Sequence, residues 1–224
     1  SSPPHRWASA TSAGPAPEEH VMVSYPLTMP TTPAPVRTAF RLKRVVGYSE
    51  SFTSGQQQTY EHPYALWECE VQLAAMRRDK AAAWLSFILM CRGRRGTFLL
   101  GDWDARVPRG TARAAQVSGG GQTGNTLVLK GLGAGNTLLP GDYVQLGSGG
   151  DSRLHMIVGS GNFANGGGVA SFEIEPRIKV SPADSSTVTL VNPKGVFRLS
   201  SNETGWDSDH VGIFGITFSC TEAF

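Results

Sequence analysis

Residues Tyr64–Trp103 read YALWECEVQLAAMRRDKAAAWLSFILMCRGRRGTFLLGDW, and this stretch decides the fold because it holds the strongest helical pattern in the chain. Its first part, Leu66–Ala74, alternates between polar and apolar residues, as a strand buried on one face does. Asp79 occupies a position typical of a helix N-cap or first turn, and the run that follows it contains neither glycine nor proline. The pattern therefore predicts a strand followed by a helix over residues 79–92.

The predicted helix has an apolar stripe and is expected to end at a glycine. Gly93 suits the left-handed conformation in which many helices end. Beyond it, the segment Thr97–Leu100 is predicted to form a short buried strand between Gly96 and Gly101. The whole stretch is thus expected to run strand, helix, strand. The stripe, at three- and four-residue steps, consists of Ala81, Trp84, Leu85, Ile88, Leu89 and the charged Arg92.

Composition narrows the classes of function. The chain has 224 residues, 40% of them apolar, which suffices for one large or two small domains. Its formal net charge of +2 gives no field that would favour nucleic acid or an anionic membrane. No apolar run approaches the roughly 20 residues of a membrane-spanning helix, so no membrane partner is expected. Three cysteines without metal-ligand spacing predict buried, reduced thiols, which point to synthesis in the cytosol.

The first 35 residues are rich in proline and show no sustained periodicity. Proline fixes φ and removes an amide donor, so neither a regular helix nor an interior strand is expected here. We expect an extended N-terminal arm over residues 1–35. Several of its side chains are more apolar than a free tail requires, which favours docking on a partner subunit. They are Trp7, Val21, Val23, Tyr25 and Leu27.

Residues 105–198 have a different character, because helical patterns are absent and glycine-rich turns separate short alternating runs. The turns recur at intervals of about ten residues, which is typical of a small all-β barrel or sandwich. This part of the chain is therefore expected to form a separate β domain. Its predicted strands are Ala114–Val117, Thr126–Lys130, Asp142–Leu146, Leu154–Val158, Val169–Glu175 and Thr187–Val191.

The last strongly apolar run, residues 211–220, needs a partner strand and a covered face. The strand at Trp67–Leu73 has a free edge and the helix to pack on, so the two are expected to pair. The sequence therefore predicts a mainly β protein: a β-sandwich with one α-helix over residues 36–104 and 199–224, with the glycine-rich β domain inserted into it. The cysteines that this pairing would place in one sheet are Cys69 and Cys220.

Two residue groups resemble parts of active sites, but each has a plainer interpretation. Gly119–Thr126 nearly matches a phosphate-binding loop, yet Asn125 stands where that loop has lysine, and a strand pattern follows. A hairpin turn is therefore favoured. Glu173 and Glu175 lie two apart and could form a carboxylate pair, although a solvent-facing strand is the simpler interpretation.

Two further groups contain the residue types of hydrolases without their arrangement. Asp102 and Asp104 flank Trp103, where capping or a turn is favoured over acid–base chemistry. No nucleophile elbow accompanies the second group, which is Ser200, Ser201 and His210 with nearby aspartates. We therefore expect no catalytic residues, no metal site and no cofactor, and hence no enzyme.

Basic residues bracket the predicted helix. The pair Arg77–Arg78 precedes it, and Arg92, Arg94 and Arg95 lie at its end. They could form a rim facing nucleic acid or an acidic partner, whereas helix capping and solubility are the plainer interpretation. Both readings stay open from the sequence. Arg94 and Arg95 are the two for which a subunit or partner contact is expected.

A series of motifs runs through residues 37–200 around the helix. They are Ser51–Gln57, the strand centred on Trp67, Gly96–Asp102, Pro108–Gly110, Gln122–Leu127, Pro140–Tyr143, Phe172–Pro176 and Phe197–Leu199. Their order resembles that of the siphophage distal tail (Dit-like) proteins, the family that forms the baseplate hub ring of non-contractile tails. The arm before Arg37 falls outside this resemblance.

The resemblance implies a structural virion protein. In this family a β-sandwich "belt" domain with one helix forms a six-fold homo-oligomeric ring, and a second small β domain projects outward. The implied neighbours are the tail tube protein and the hub and tip-fibre proteins, with DNA passing through the lumen without specific binding. The implied location is the tail tip of a virion assembled in the host cytoplasm. The alternative is a host-surface carbohydrate-binding tail module, in which exposed rings of the glycine-rich β domain would stack on sugars, although Tyr143 is the only tyrosine or tryptophan that this domain offers.

Overall fold

The protein is mainly β with one α-helix among the residues that the computed structural model describes, 23–160, 162–208 and 212–224. The predicted fold class is therefore confirmed. The helix α1 spans Arg78–Met90, and two 3-10 turns, η1 and η2, span Gly93–Arg95 and Gly149–Asp151. The strands, in chain order, are β1 (Leu27–Thr28), β2 (Pro35–Glu50), β3 (Gln57–Leu73), β4 (Met76–Arg77), β5 (Thr97–Leu100), β6 (Ala115–Val117), β7 (Gly124–Lys130), β8 (Tyr143–Leu146), β9 (Arg153–Ile157), β10 (Ala170–Ile178), β11 (Thr187–Thr189), β12 (Gly195–Leu199), β13 (Asp207–Ser208), β14 (Ile213–Gly215) and β15 (Thr217–Glu222).

The central feature is a six-stranded sheet with the order β1-β5-β12-β15-β3-β2. β15 pairs with β3, so Cys69 and Cys220 lie in one sheet, as predicted, and the antiparallel register places them directly opposite each other. β12 pairs with both β5 and β15, so it also belongs to this sheet. The expected boundary between residues 198 and 199 falls inside β12, because this strand buries Phe197 and Leu199 in the same core. All three cysteines are free and buried, which confirms the predicted state of the thiols.

The helix packs its apolar side on one face of this sheet and covers one half of it. It begins at Arg78, one residue before the expected start, with Asp79 in its first turn. The chain leaves the helix through two residues in the left-handed region, Arg92 and Gly93, so the predicted glycine stop is present. No helix among the described residues is long and apolar enough to cross a membrane. The side chains that α1 buries are Ala81, Trp84, Phe87 and Ile88.

The predicted stripe on this helix is partly wrong. Leu89 was expected to be buried, but 52% of it is exposed, and Phe87 takes the buried position instead. The Phe87 ring lies 5.2 Å from that of Phe98 on β5, and the Trp84 ring lies 6.3 Å from that of Phe218 on β15. These aromatic contacts fix the rotation of the helix about its own axis, since burying such large rings contributes about 1.5–3 kcal/mol each.

The second unit is a closed six-stranded barrel with the order β10-β7-β6-β11-β8-β9. Each of its strands overlaps a predicted one, with end points shifted by at most three residues. The barrel is filled by its own apolar cluster, which includes Leu127, Phe172 and Ile174. The chain leaves the sheet for the barrel after β5 and returns at β12. These two strands are hydrogen-bonded neighbours, with Leu100 directly opposite Gly195.

Specific contacts fix the barrel to the other half of the sheet face. The indole N–H of Trp67 on β3 donates to the Leu154 carbonyl on β9 at 2.9 Å. Lys179, which follows β10, lies 3.3 Å from the Glu222 carboxylate on β15. That carboxylate also accepts the Trp67 backbone N–H at 3.2 Å, and Lys179 Nζ lies 3.7 Å from the centre of the Phe224 ring. Sheet and barrel therefore share one buried junction.

Candidate functional site

The most unusual feature of the structure is the length of the hairpin formed by β2 and β3. The two strands pair from Pro35 opposite Leu73 out to Glu50 opposite Gln57. β15 accompanies β3 only between Gln72 and Glu68, so the outer part of the ribbon has no third strand among the described residues. Residues 45–64, which we call the projecting hairpin, therefore extend beyond the sheet.

Local chemistry explains the turn at the end of the projecting hairpin. The Ser51 amide donates to the Gln56 carbonyl at 2.8 Å, and the Gly55 amide donates to the Ser51 carbonyl at 2.9 Å. Gly55 has a φ of +66°, a conformation that glycine adopts without steric cost. The turn therefore follows from its own residues, whereas the length of the strands on either side of it was not predicted.

The projecting hairpin exposes apolar and aromatic side chains on both faces. Phe52, at the tip, is fully exposed, and 65% of Tyr60 is accessible. A two-stranded ribbon is at best marginally stable in water, and clustered exposed apolar groups mark interaction surfaces. The cluster is therefore better explained by a partner than by the isolated chain. Its members are Val45, Val46, Tyr48, Phe52, Tyr60 and Tyr64.

The sheet also ends in an open edge. β2 is the last strand in the sheet order, and no strand of the described chain pairs with its outer side. It is 16 residues long, whereas proteins usually keep exposed edge strands short or covered. A long free edge next to an exposed apolar ribbon is a template on which another β-strand can pair.

The charges on the projecting hairpin have one sign. Residues 45–64 contain Glu50 and Glu61 but neither lysine nor arginine. The Tyr48 hydroxyl donates to the Glu50 carboxylate at 2.9 Å, and this hydrogen bond raises the pKa of Tyr48. The ribbon therefore offers mainly apolar and neutral polar contact area, since the Glu61 carboxylate is already paired with Arg44 at its base.

An ion-pair network holds the base of the ribbon to the barrel. The Arg44 guanidinium lies 3.2 Å from Glu175 and 3.6 Å from Glu61. The Asn125 side-chain amide also donates to Glu175, at 2.9 Å. Glu175 thus binds protein groups, while Glu173 on the same strand is exposed. The cleft between the base of the ribbon and the barrel measures about 440 Å³. It is lined by Arg44, Glu61, His62, Pro63, Ala65, Asn125, Glu173, Glu175 and Arg177.

The other candidate groups have structural surroundings. The Gly119–Thr126 segment forms the turn of the β6–β7 hairpin and the first three residues of β7, so a hairpin turn lies where the sequence favoured one. The Gln122 side chain bonds across this turn to both main-chain groups of Val128. Asp102 accepts the Asp104 amide at 3.1 Å, which is a turn contact. Among the described residues, no group of three or more His, Cys, Asp or Glu side chains is placed to hold a metal ion.

Several of the residues that were expected to touch a partner make contacts within their own chain instead. Leu27 is buried in its own sheet, and the Tyr25 hydroxyl donates to the Met90 carbonyl at 2.9 Å, while Val23 packs on the same core. They make contacts within the chain because β1 pairs in parallel with β5. Arg94 bonds to the Ser200 carbonyl, and Arg95 is exposed. Trp7, Val21 and His210 lie outside the described residues.

The aromatic residue considered for sugar stacking is not available. Only 8% of Tyr143 is exposed, and its ring packs 6.0 Å from that of Trp67. Burial raises the pKa of its hydroxyl to about 12. The barrel therefore presents no tyrosine or tryptophan ring to a glycan in the part of the chain that the structure describes.

Sequence reasoning missed the projecting hairpin as a site. Its signal was present, because residues 45–64 combine valines and tyrosines with no charge of positive sign. The sequence did not show that the ribbon extends beyond the sheet, which leaves both of its faces exposed. Comparison with known proteins adds no assignment: no protein-family model matches the sequence, and no curated protein matches it.

Proposed function

We propose that this protein is a structural subunit that assembles with copies of itself into a ring, with no enzymatic activity. The observation that carries the proposal is the projecting hairpin, which exposes six large apolar side chains on a ribbon with no support from its own sheet. Covering them at about 25 cal/mol per Å² is a strong driving force for association. The open edge of β2 supports the same reading.

The resemblance of the motifs to siphophage distal tail proteins gives the proposal its biological setting. In that setting the ring is six-fold and lies at the distal end of a non-contractile tail, between the tail tube and the hub and tip fibres. The mainly β fold with one helix, a large sheet and a small barrel supports this assignment. DNA would pass through the lumen without sequence-specific contacts, and the protein would reside at the virion tail tip.

Shortening the hairpin tests the proposal. Val46 and Glu61 are register partners, so residues 47–60 can be replaced by an Asn-Gly turn. We expect wild-type protein to form a defined oligomer by native mass spectrometry, alone or with tail tube protein as a template. The shortened variant should be monomeric, and its melting temperature should match that of the wild-type monomer at a concentration too low for assembly, because the deleted residues contribute nothing to either core.

A milder variant and a matched control separate the interface from general surface effects. Phe52→Ser with Tyr60→Ser should also abolish the oligomer, whereas Phe163→Ser with Val180→Ser, at exposed positions on the barrel, should leave it intact. Wild-type protein that remains monomeric at every concentration, with and without tube protein, would contradict the proposal. So would a shortened variant that assembles as well as the wild type.

A further inference from the structure

All three cysteines of the chain lie in the core around the central sheet, and two of them are neighbours across strands. Cys69 on β3 and Cys220 on β15 are register partners. Directly opposite residues of an antiparallel pair project to the same face of the sheet. In such pairs the Cα atoms are about 4.5 or 5.5 Å apart, and both spacings lie within the range of about 4.4–6.8 Å that disulfides require. The backbone therefore holds the two residues at bridging distance.

The side chains of this pair are in contact as well. The Cys220 thiol lies close enough to the Cys69 thiol for a hydrogen bond, and it also donates to the Cys69 carbonyl at 3.4 Å. The Cys69 thiol donates to the Glu70 carbonyl at 3.7 Å. Thiols are weak donors, so a reaction that removes both S–H groups gives up little hydrogen bonding.

Both thiols are shielded from solvent in the folded protein. Only 2% of Cys69 is exposed, and Cys220 is completely buried. Burial also raises the pKa of the Cys220 thiol, so its thiolate, which is the nucleophilic form, is scarce at neutral pH. Thiol–disulfide exchange therefore requires the sheet to open locally between β3 and β15. In a reducing compartment the pair remains as two thiols.

The third cysteine has a different position. Cys91 follows the helix directly and is completely buried, and burial raises its pKa to about 11. Its amide donates to the Phe87 carbonyl at 3.1 Å, and its carbonyl accepts the Gly96 amide at 2.7 Å, so the helix end fixes its backbone. Because Cys91 lies outside the strands, no strand register holds it opposite another thiol. It therefore provides a matched control for the pair.

We propose that Cys69 and Cys220 form a latent disulfide, which is reduced when the protein is made and is oxidised by a small-molecule disulfide once the protein reaches an oxidising medium. One cysteine thiolate attacks the small disulfide and releases one small thiol, and the second then attacks the mixed disulfide and releases the other. The two protein thiols thus lose two electrons and two protons, which the two released thiols carry. The change of medium rests on the proposed virion location, whereas the pairing does not.

The disulfide would stabilise the central sheet. Its two cysteines are 151 positions apart, and the chain between them includes the helix and the whole barrel. A cross-link that closes so long a loop restricts the unfolded chain much more than the folded one. We therefore expect the oxidised protein to melt roughly 5–10 °C above the reduced protein.

Refolding in a redox buffer tests the pairing without requiring access to the folded core. The full chain is unfolded in urea, refolded with reduced and oxidised glutathione, and quenched with acid before its intact mass is measured. The wild type should lose the mass of two hydrogen atoms, and peptide mapping should place the bridge between Cys69 and Cys220. Cys91→Ala should behave in the same way, whereas Cys69→Ala and Cys220→Ala should lose no hydrogen.

Oxidation of the folded protein provides a second readout. With oxidised glutathione in native buffer the bridge should form slowly, and it should form at least about tenfold faster in urea just below the unfolding transition, because opening of the sheet limits the reaction. The melting temperature should rise as the bridged fraction increases, in the wild type and in Cys91→Ala alike.

The results that would overturn the proposal are clear from the wild type alone. If it reaches its native state in the oxidised buffer with three free thiols, the sheet does not hold the pair in a bridging geometry. A bridge that includes Cys91, or a bridge that lowers the melting temperature, would also contradict the proposal. None of these measurements depends on oligomerisation, so the hairpin variants decide the ring proposal separately.

Discussion

His155 is a buried polar residue whose chemistry is set by its surroundings. It lies on β9 inside the barrel, 3% exposed, and its Nδ1 is 2.7 Å from the Pro176 carbonyl. A carbonyl only accepts hydrogen bonds, so Nδ1 carries the hydrogen and the ring is held as one neutral tautomer. Burial lowers the pKa of His155 to about 4, and the charges of Lys179 and Arg153 act in the same direction.

This pKa predicts a loss of stability in mild acid. The unfolded chain binds a proton on His155 near pH 6.5, whereas the folded protein does so only near pH 4. Stability should therefore fall as the pH drops through this window, by about 3 kcal/mol from this residue. His155→Asn keeps a donor for the Pro176 carbonyl but cannot titrate. Urea unfolding at pH 7 and pH 4.5 should show a smaller decrease for the variant than for wild type, and equal decreases would contradict the assignment.

At the scale of elements, the sequence predicted where the helix lies but not which side it buries. The run from Trp84 to Met90 is apolar apart from Ser86, so several faces fit the core equally well by pattern alone. The rings of Phe98 and Phe218, which come from other parts of the chain, determine which face of the helix is buried, because they pack on Phe87 and Trp84.

Neighbouring substitutions on the helix should therefore have very different effects. Ile88→Ala removes a side chain that is 4% exposed, and should lower the free energy of unfolding by about 3 kcal/mol. Leu89→Ala, at the next position, should change it by less than about 0.5 kcal/mol. Urea denaturation of both monomers gives the comparison. A larger loss for Leu89→Ala would show that the helix is rotated relative to this description.

The strands of the barrel were predictable for a physical reason, and the long hairpin was not. Barrel strands such as Ala170–Ile178 bury one face, so their sequences alternate, whereas β8 is buried at all four of its positions. Residues 49–64 bury neither face within one chain, so no alternation marks them as strands. The break in the final strand, at Ile216, was also missed, because this residue is buried and continues the apolar run.

At the scale of the whole molecule, a buried ion pair connects the barrel to the sheet, in addition to the more exposed contact of Arg44 with Glu175. The Glu222 side chain is 1% exposed and that of Lys179 is 19% exposed. Burial raises the pKa of Glu222, although the Lys179 ammonium beside it counteracts this effect. Burial likewise lowers the pKa of Lys179. Each residue therefore helps to keep the other charged. The sequence did not predict this pair or its place at the junction, because its two members are 43 residues apart in the chain.

Removing one partner should cost more than removing both. Lys179→Met leaves the Glu222 carboxylate buried without a counter-charge, and should reduce stability by about 3 kcal/mol at pH 8. Lys179→Met combined with Glu222→Gln should recover most of this loss, because no buried charge remains. Urea unfolding of wild type, single and double variants at pH 8 measures the difference. If the double variant is as unstable as the single one, the pair is not what holds the junction.

The adjacency of Leu100 and Gly195 has a consequence for how such a protein can diverge. The chain departs from the sheet and returns to it on hydrogen-bonded neighbours, so the connection between them can be a tight turn or a complete barrel without altering the register of either strand. We expect related proteins to differ in the size of this connection, while the sheet, the helix and the hairpin are retained. Lineages should then differ most between residues 101 and 194, and the cost of each exchange falls on the contacts between barrel and sheet, which include those of Trp67, Glu222 and Arg44.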